Sequence, residues 1–320
     1  VRKKIRASRG RITFAEFMEV VLYHPEAGYY TRGRAVIGPQ GDYFTSPSAS
    51  PLFGRLLARQ FRRFREELGH PPGFAVVELG GHRGQLRRDV LGEAPDLDYR
   101  VVEVGDELPA GLAGCFFSNE FWDALPVHRV KVVAGQWQEI YVREEGEGFA
   151  DVLGPLSDPR LEAHLAGLPV EWMEGYETTV NLRAQEWMGR LGRSLERGFV
   201  LSIDYGFERE EYFSPQRPKG TLRCYFRHTL NDDYYARPGE QDLTAHVDFT
   251  ALIEAGRQAG LEPALFTDQG RYLVGIGQEL FAEIAERSAG RLSRERQAIH
   301  QLIHPGLMGS AFKVLIQKKG

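Results

Sequence analysis

The chain has little of several things that would decide its class at once. Its 320 residues include two cysteines, Cys115 and Cys224. Two cysteines build neither a disulfide framework nor a zinc quartet, so no metal is expected. They read instead as small apolar side chains in reducing surroundings. No run approaches the roughly 20 apolar residues of a membrane span. The basic start, Val1-Arg2-Lys3-Lys4-Ile5-Arg6, is followed by no long apolar segment or small-residue cleavage site. A cytoplasmic protein without a membrane span is the expectation. An excess of positive charge is missing too: the formal net charge is −4, which argues against general nucleic-acid binding. Repeats and low-complexity tracts are absent. So is the G-x-G-x-x-G of a nicotinamide oxidoreductase. With 42% hydrophobic and 26% charged residues, the chain can bury the core of one large or two modest domains.

What is present centres on Phe74 to Leu91. Phe74-Ala75-Val76-Val77-Glu78-Leu79 is a mostly apolar, partly β-branched run that reads as a buried strand. Gly80-Gly81-His82-Arg83-Gly84 follows, and then Leu86, Val90 and Leu91 mark one helix face. A strand-to-helix turn rich in glycine lets backbone N–H groups approach a nucleotide-like ligand beside a helix N-terminus. The acidic Glu78 closes the strand, and Gly80 and Gly84 set a G-x-x-x-G frame. A second strand, Tyr99-Arg100-Val101-Val102-Glu103-Val104, also ends in an acidic residue. A carboxylate at that tip can accept both hydroxyls of a ribose, which makes Glu103 a candidate ligand; the plainer alternative is a solvated charge.

Elsewhere, Thr13 and Glu16 frame the start of an amphipathic helix running to Tyr23. The aromatic, glycine-rich stretch from Gly28 to Pro47 is either a surface flap or a lid over a ligand site. Ser50 is placed to cap a helix over Leu52–Leu68, whose arginine-rich face reads as solvated. A third strand at Cys115-Phe116-Phe117 runs into Ser118-Asn119-Glu120 and Asp123-Ala124-Leu125-Pro126. Val130–Val133 and Trp137–Val142 form a β-hairpin about Ala134-Gly135-Gln136. An irregular helical insertion is expected over Leu161–Tyr176, and helices over Val180–Leu195 and Thr250–Ala259. Later strands are expected at Phe199–Gly206 and Ala311–Gln317.

Together these segments resemble the MidA-like family of S-adenosylmethionine-dependent methyltransferases, which includes the mitochondrial respiratory complex I assembly factor that methylates an arginine. The resemblance is carried by Ile12-Thr13-Phe14, Gly28-Tyr29-Tyr30, Gly41 to Pro47, Ser118-Asn119-Glu120 with Asp123-Ala124-Leu125-Pro126, Asp204-Tyr205-Gly206, Gly220-Thr221-Leu222, Thr244 to Phe249, and Met308-Gly309 with Phe312 to Leu315. It implies a class I, Rossmann-like α/β fold with a mostly parallel sheet and an antiparallel last strand. An N-terminal helical and loop extension would occupy residues 1–70. The methyltransferase-like domain would occupy 71–320, with an insertion at about 129–180. The resemblance further implies S-adenosylmethionine bound at Glu78, Gly80, Gly84, Glu103, Asn119, Thr45 and Ser46. Glu120 and Asp123 would act as the catalytic carboxylates on an arginine of a protein partner, and a second copy of the chain is a further possible partner. Carboxylates grip a guanidinium bidentately; the same two residues would otherwise be a helix-start cap and a first-turn charge.

The chain departs from the family pattern in three places. His82 replaces the middle glycine of the loop, where a side chain crowds the backbone approach. Ser48-Ala49-Ser50 stands where the pattern has a glutamate and an aliphatic residue before the serine. Only Gly105 to Gly114 links the second strand to Cys115, where the family has a helix and another strand. A parallel crossover normally takes about a dozen residues or more, so no helix-plus-strand unit fits, and one edge strand of the sheet is expected to be lost. Two functions follow as expectations: arginine-directed protein methylation, or a degenerate methyltransferase fold that serves as a non-catalytic binding or assembly factor.

Overall fold

The computed structural model describes residues 1–32, 50–81, 84–168, 173–227, 229–288 and 293–320. They fall into two compact units, each assembled from separate stretches of chain. One takes the described residues from 50 to Trp122 with Trp187–Gly206 and Ala251–Gly320. The other takes those up to Arg32 with Asp123–Glu186 and Phe207–Thr250. These units cut across the expected division into 1–70 and 71–320.

The first unit is built on six strands: β1 (Ala75–Leu79), β2 (Asp98–Val102), β3 (Leu112–Asn119), β4 (Leu195–Phe207), β5 (Glu262–Asp268) and β6 (Phe312–Lys319). Their order across the sheet is β5-β6-β4-β3-β1-β2. The pairings β2–β1, β1–β3 and β3–β4 are parallel, whereas β6 runs antiparallel to both β4 and β5. This is the Rossmann-like arrangement with a reversed last strand that the resemblance implies. All five residues of β1 are buried, as a strand covered on both faces requires.

The helix Leu52–Glu67 packs Leu56, Leu57, Phe61 and Phe64 into the core on one face of the sheet. Phe64 stacks on Phe199 with ring centroids 4.0 Å apart, and Phe61 meets Phe117 edge-on. Each such buried side chain contributes about 1.5–3 kcal/mol. Ser50 Oγ accepts from the Leu52 amide at 3.2 Å, a local turn just before the helix, whose N-cap position is taken by Pro51 and not by the expected Ser50.

The link between β2 and β3 has no helix and no strand. It opens with a turn in which the Glu103 amide donates to Asp106 Oδ2 at 2.9 Å. β2 is therefore the edge strand and a parallel neighbour of β1, in the register Ala75↔Asp98 to Leu79↔Val102. The few residues left can pass back beside β1 only in extended form, since an extended residue covers about 3.3–3.6 Å and a helical one about 1.5 Å.

The second unit holds what was expected as an irregular insertion, and here the reading needs correction. The hairpin is present, as His128–Val133 and Gln136–Glu145 about Ala134 and Gly135, both at positive φ. Such a two-residue loop matches the right-handed twist of its strands. The hairpin is the middle of a five-stranded antiparallel sheet that also takes in Arg11–Thr13, Gly148–Gly154 and Glu177–Val180. The helix expected over Leu161–Tyr176 is a short one, Pro159–Ala166, capped by Asp158. The helix Phe14–Tyr23 begins with the expected capping box, in which Thr13 Oγ1 accepts from the Glu16 amide and Glu16 returns a carboxylate to the Thr13 amide.

Candidate cofactor site at the strand ends

The loop that follows β1 is shaped by its glycines. Gly80 has φ +69° and donates its amide to Val102 O at 2.9 Å. A Cβ on Gly81 would lie 2.7 Å from Val101 Cγ1 and 3.0 Å from Glu78 Oε2, so only glycine lets the chain pass there. Gly84, at φ +65°, opens the helix Gln85–Glu93 without any side-chain cap. Its surroundings are open, because a Cβ there would meet nothing nearer than an Arg88 nitrogen at 4.0 Å. Uncapped first-turn amides beside a glycine frame suit polar or anionic ligand groups.

Glu78 sits beneath this loop with 5% of its surface exposed. Burial pushes its carboxyl up to about 7, and the neighbouring charge of Glu103 adds to the rise. The Tyr99 hydroxyl is near enough to temper the shift but completes no hydrogen bond. Glu78 Oε2 and the Tyr99 hydroxyl are both buried with no hydrogen-bond partner among the described residues. Buried polar atoms left in that state are rare and call for an explanation.

Glu103 is exposed just beyond the end of β2, its backbone held by the Asp106 turn. At the end of β3, Asn119 Nδ2 donates to Glu120 Oε1 at 2.9 Å. Glu120 has φ +54°, a left-handed backbone rarely taken by a residue with a side chain, and its amide donates to Ile203 O at 3.0 Å. The loop beyond is anchored by Asp204, a fully buried residue near the end of β4. Asp204 Oδ2 accepts from the Phe121 and Trp122 amides at 3.1 and 2.9 Å, and Oδ1 accepts from the Tyr205 amide at 2.8 Å. A carboxylate taking three backbone donors replaces the missing ladder bonds of an irregular turn. Sequence alone gives Asp204 no such role; an acidic residue closing an apolar strand is the signal it offers.

The structure thus brings Glu78, Gly80, Gly84, Glu103, Asn119 and Glu120 to the carboxyl ends of β1, β2 and β3, where wound α/β sheets hold their ligands. Asp123 belongs to the second unit. It is buried there, and its carbonyl accepts from the Ala245 amide at 2.9 Å. Thr45, Ser46 and His82 lie outside the described residues.

A family model described as "Putative S-adenosyl-L-methionine-dependent methyltransferase" matches residues 101–267. A Burkholderia thailandensis protein crystallised with S-adenosyl-homocysteine is 32% identical; the alignment covers 99% of this chain and 90% of that one, with a TM-score of 0.91. The chain belongs to the S-adenosyl-L-methionine-dependent methyltransferase family. This methyltransferase is also similar to curated proteins named protein arginine methyltransferase NDUFAF7, mitochondrial, or a homolog of it. The Drosophila melanogaster protein is 29% identical over 99% of this chain and 84% of its own. The Homo sapiens protein is 27% identical over 95% and 79%.

Those names correct the expectation of a cytoplasmic protein, since the relatives are mitochondrial. Cysteine content separates oxidising from reducing surroundings but cannot tell one reducing compartment from another. The site residues fit the family's cofactor. The chain offers a loop in which a Cβ on Gly81 would clash, an exposed carboxylate at the second strand tip, and under the loop a buried carboxyl oxygen without a partner among the described residues.

Proposed function

We propose that this methyltransferase transfers a methyl group to an arginine of a protein partner. The observation that supports this most is the set of Glu78, Gly80, Gly84 and Glu103 at adjacent parallel strand ends, in a chain 32% identical to a protein crystallised with S-adenosyl-homocysteine. The names of the curated relatives support the choice of arginine. The net charge of −4 favours a protein over a nucleic acid as the substrate.

S-adenosylmethionine supplies a methyl group already activated on a sulfonium. On this reading Glu103 accepts the ribose hydroxyls, and Gly80 and Gly84 leave the loop amides accessible. Thr45 and Ser46 complete the list of cofactor-binding candidates. Asn119 holds the Glu120 carboxylate in place at 2.9 Å. Glu120 supplies a carboxylate that orients a guanidinium nitrogen. Orientation of the nucleophile is the main catalytic contribution asked of the chain. The experiment is methyl transfer from labelled S-adenosylmethionine into a protein extract, followed by hydrolysis and amino-acid analysis. Label recovered as methylarginine is the expected result; cofactor binding with label on another residue, or with none transferred, overturns it.

One observation favours a second reading. Residues 103–111 form no helix or strand, so nothing in that link extends the sheet beyond β2. A site with less wall holds its cofactor weakly, and a chain of this kind would serve as a non-catalytic binding or assembly factor. Absence of S-adenosylmethionine binding even at millimolar concentration would select it.

A further inference from the structure

We propose that Glu78 is a proton-holding residue of the cofactor site, and that binding S-adenosylmethionine expels one proton from its carboxyl group to the solvent. This rests on the reading that the site binds that cofactor.

Geometry supplies the first reason. Glu78 closes β1 directly under the glycine loop, with Oε2 3.0 Å from where a Cβ on Gly81 would lie. That oxygen has no hydrogen-bond partner among the described residues, although the residue is only 5% exposed. A carboxylate kept there would be a desolvated charge with one oxygen lacking a donor among the described residues, which is costlier than a neutral carboxylic acid. The groups facing it relieve only part of the cost. From β2 comes the Tyr99 hydroxyl, buried, without a hydrogen-bond partner among the described residues and driven well above its usual range, so it stays protonated and tempers the shift. From beyond β2 comes Glu103, a like charge. Arg87, on the helix Gln85–Glu93, is the opposing cation, and its influence is the weakest of these. The balance leaves Glu78 with a midpoint of about 7 in the free protein.

S-adenosylmethionine carries a sulfonium and an ammonium besides its own carboxylate, and is a net cation at neutral pH. A cation brought close to a buried carboxyl favours its ionised form. The O–H bond of the acid breaks, the electron pair stays on the carboxylate, and the proton goes to buffer. Linkage then requires affinity to rise with pH until Glu78 is ionised in the free protein as well.

The test is calorimetric titration of the full chain with S-adenosylmethionine at pH 6, 7 and 8, each in two buffers of different ionisation enthalpy. About half a proton should be released per cofactor at pH 7, and affinity should rise roughly tenfold from pH 6 to pH 8. Binding with no proton release and unchanged affinity overturns the proposal and leaves the methyltransferase reading standing. Absence of binding at every pH overturns both. A protonated His82 would give the same trend, so Glu78→Gln decides between them: loss of proton release supports Glu78, and its persistence overturns the assignment. Should Glu78→Gln fold poorly, Tyr99→Phe replaces it. Removing the hydroxyl that tempers the shift should move the affinity midpoint to higher pH, and an unmoved midpoint counts against Glu78.

Discussion

Arg129 in the five-stranded sheet and Glu78 at the end of β1 are almost equally buried, at 4% and 5% exposed, yet their surroundings are opposite. Arg129 is surrounded by partners. Its guanidinium donates to Asp151 at 2.8 and 3.0 Å and to Glu177 at 2.6 and 3.1 Å, and it lies over the rings of Phe14 and Tyr234. Burial works against its charge, but Glu177 and Asp151 outweigh that and keep it firmly protonated. Glu78 has one carboxyl oxygen without a hydrogen-bond partner among the described residues, and Tyr99 and Arg87 only temper its burial. A buried charge with its partners in place stabilises one arrangement of the chain, whereas a buried carboxyl without them is driven toward its neutral form.

The largest effect that would break this comparison is expected at Arg129. Arg129→Ala strands Asp151 and Glu177 against each other and should cost roughly 3–5 kcal/mol in denaturant unfolding. Replacing Arg129, Asp151 and Glu177 together by apolar residues of similar volume should cost far less. If the single and triple variants unfold alike, the cluster is not acting as a matched ion pair.

Glu78→Gln comes next and depends on pH. Because burial raises the folded-state midpoint from 4.5 to about 7, the group's contribution is full below pH 4.5 and is lost as pH rises through 7. Between pH 5 and pH 8 the native protein should lose roughly 2–3 kcal/mol of stability relative to the glutamine variant. Parallel stability curves for the two proteins over that range would show that Glu78 titrates normally.

Much of the cofactor side was legible because its signals are local. The run Ala75–Leu79, the glycines after it and the helix Gln85–Glu93 are contiguous, and the short link after Glu103 excluded a helix by length alone. The five-stranded sheet was not legible. Arg11–Thr13 and Glu177–Val180 are too short for an alternating pattern to stand out. Moreover, Arg11 pairs with Arg143, more than a hundred residues along the chain. Asp204 was missed for the same reason, since it caps amides some eighty residues earlier. The long helix Gln269–Arg287 carries an apolar stripe of Tyr272, Leu273, Ile276, Leu280 and Ile284, and was simply not read.

Glu103 sharpens the comparison from the side of exposed charge. Glu103→Ala should weaken S-adenosylmethionine binding tenfold to a hundredfold, or roughly 1.5–3 kcal/mol, while leaving the unfolding midpoint nearly unchanged. An equal loss in stability would place the carboxylate in the fold rather than in the site.

Gly84 tests whether the loop is shaped for a ligand or only for its own turn. Its φ of +65° is a conformation that a residue with a Cβ adopts only with strain, at a cost of about 1–2 kcal/mol. No clash adds to that, because the nearest atom to an added Cβ is 4.0 Å away. Gly84→Ala should therefore fold, with a loss in stability of about 1 kcal/mol. A ligand approaching the first turn of the helix Gln85–Glu93 would meet the new methyl group. Binding should then fall by more than the stability loss accounts for, as read by calorimetric titration at a pH where Glu78 is ionised. If affinity is unchanged while stability drops, the glycine serves the turn alone and the cofactor enters from another side of the loop.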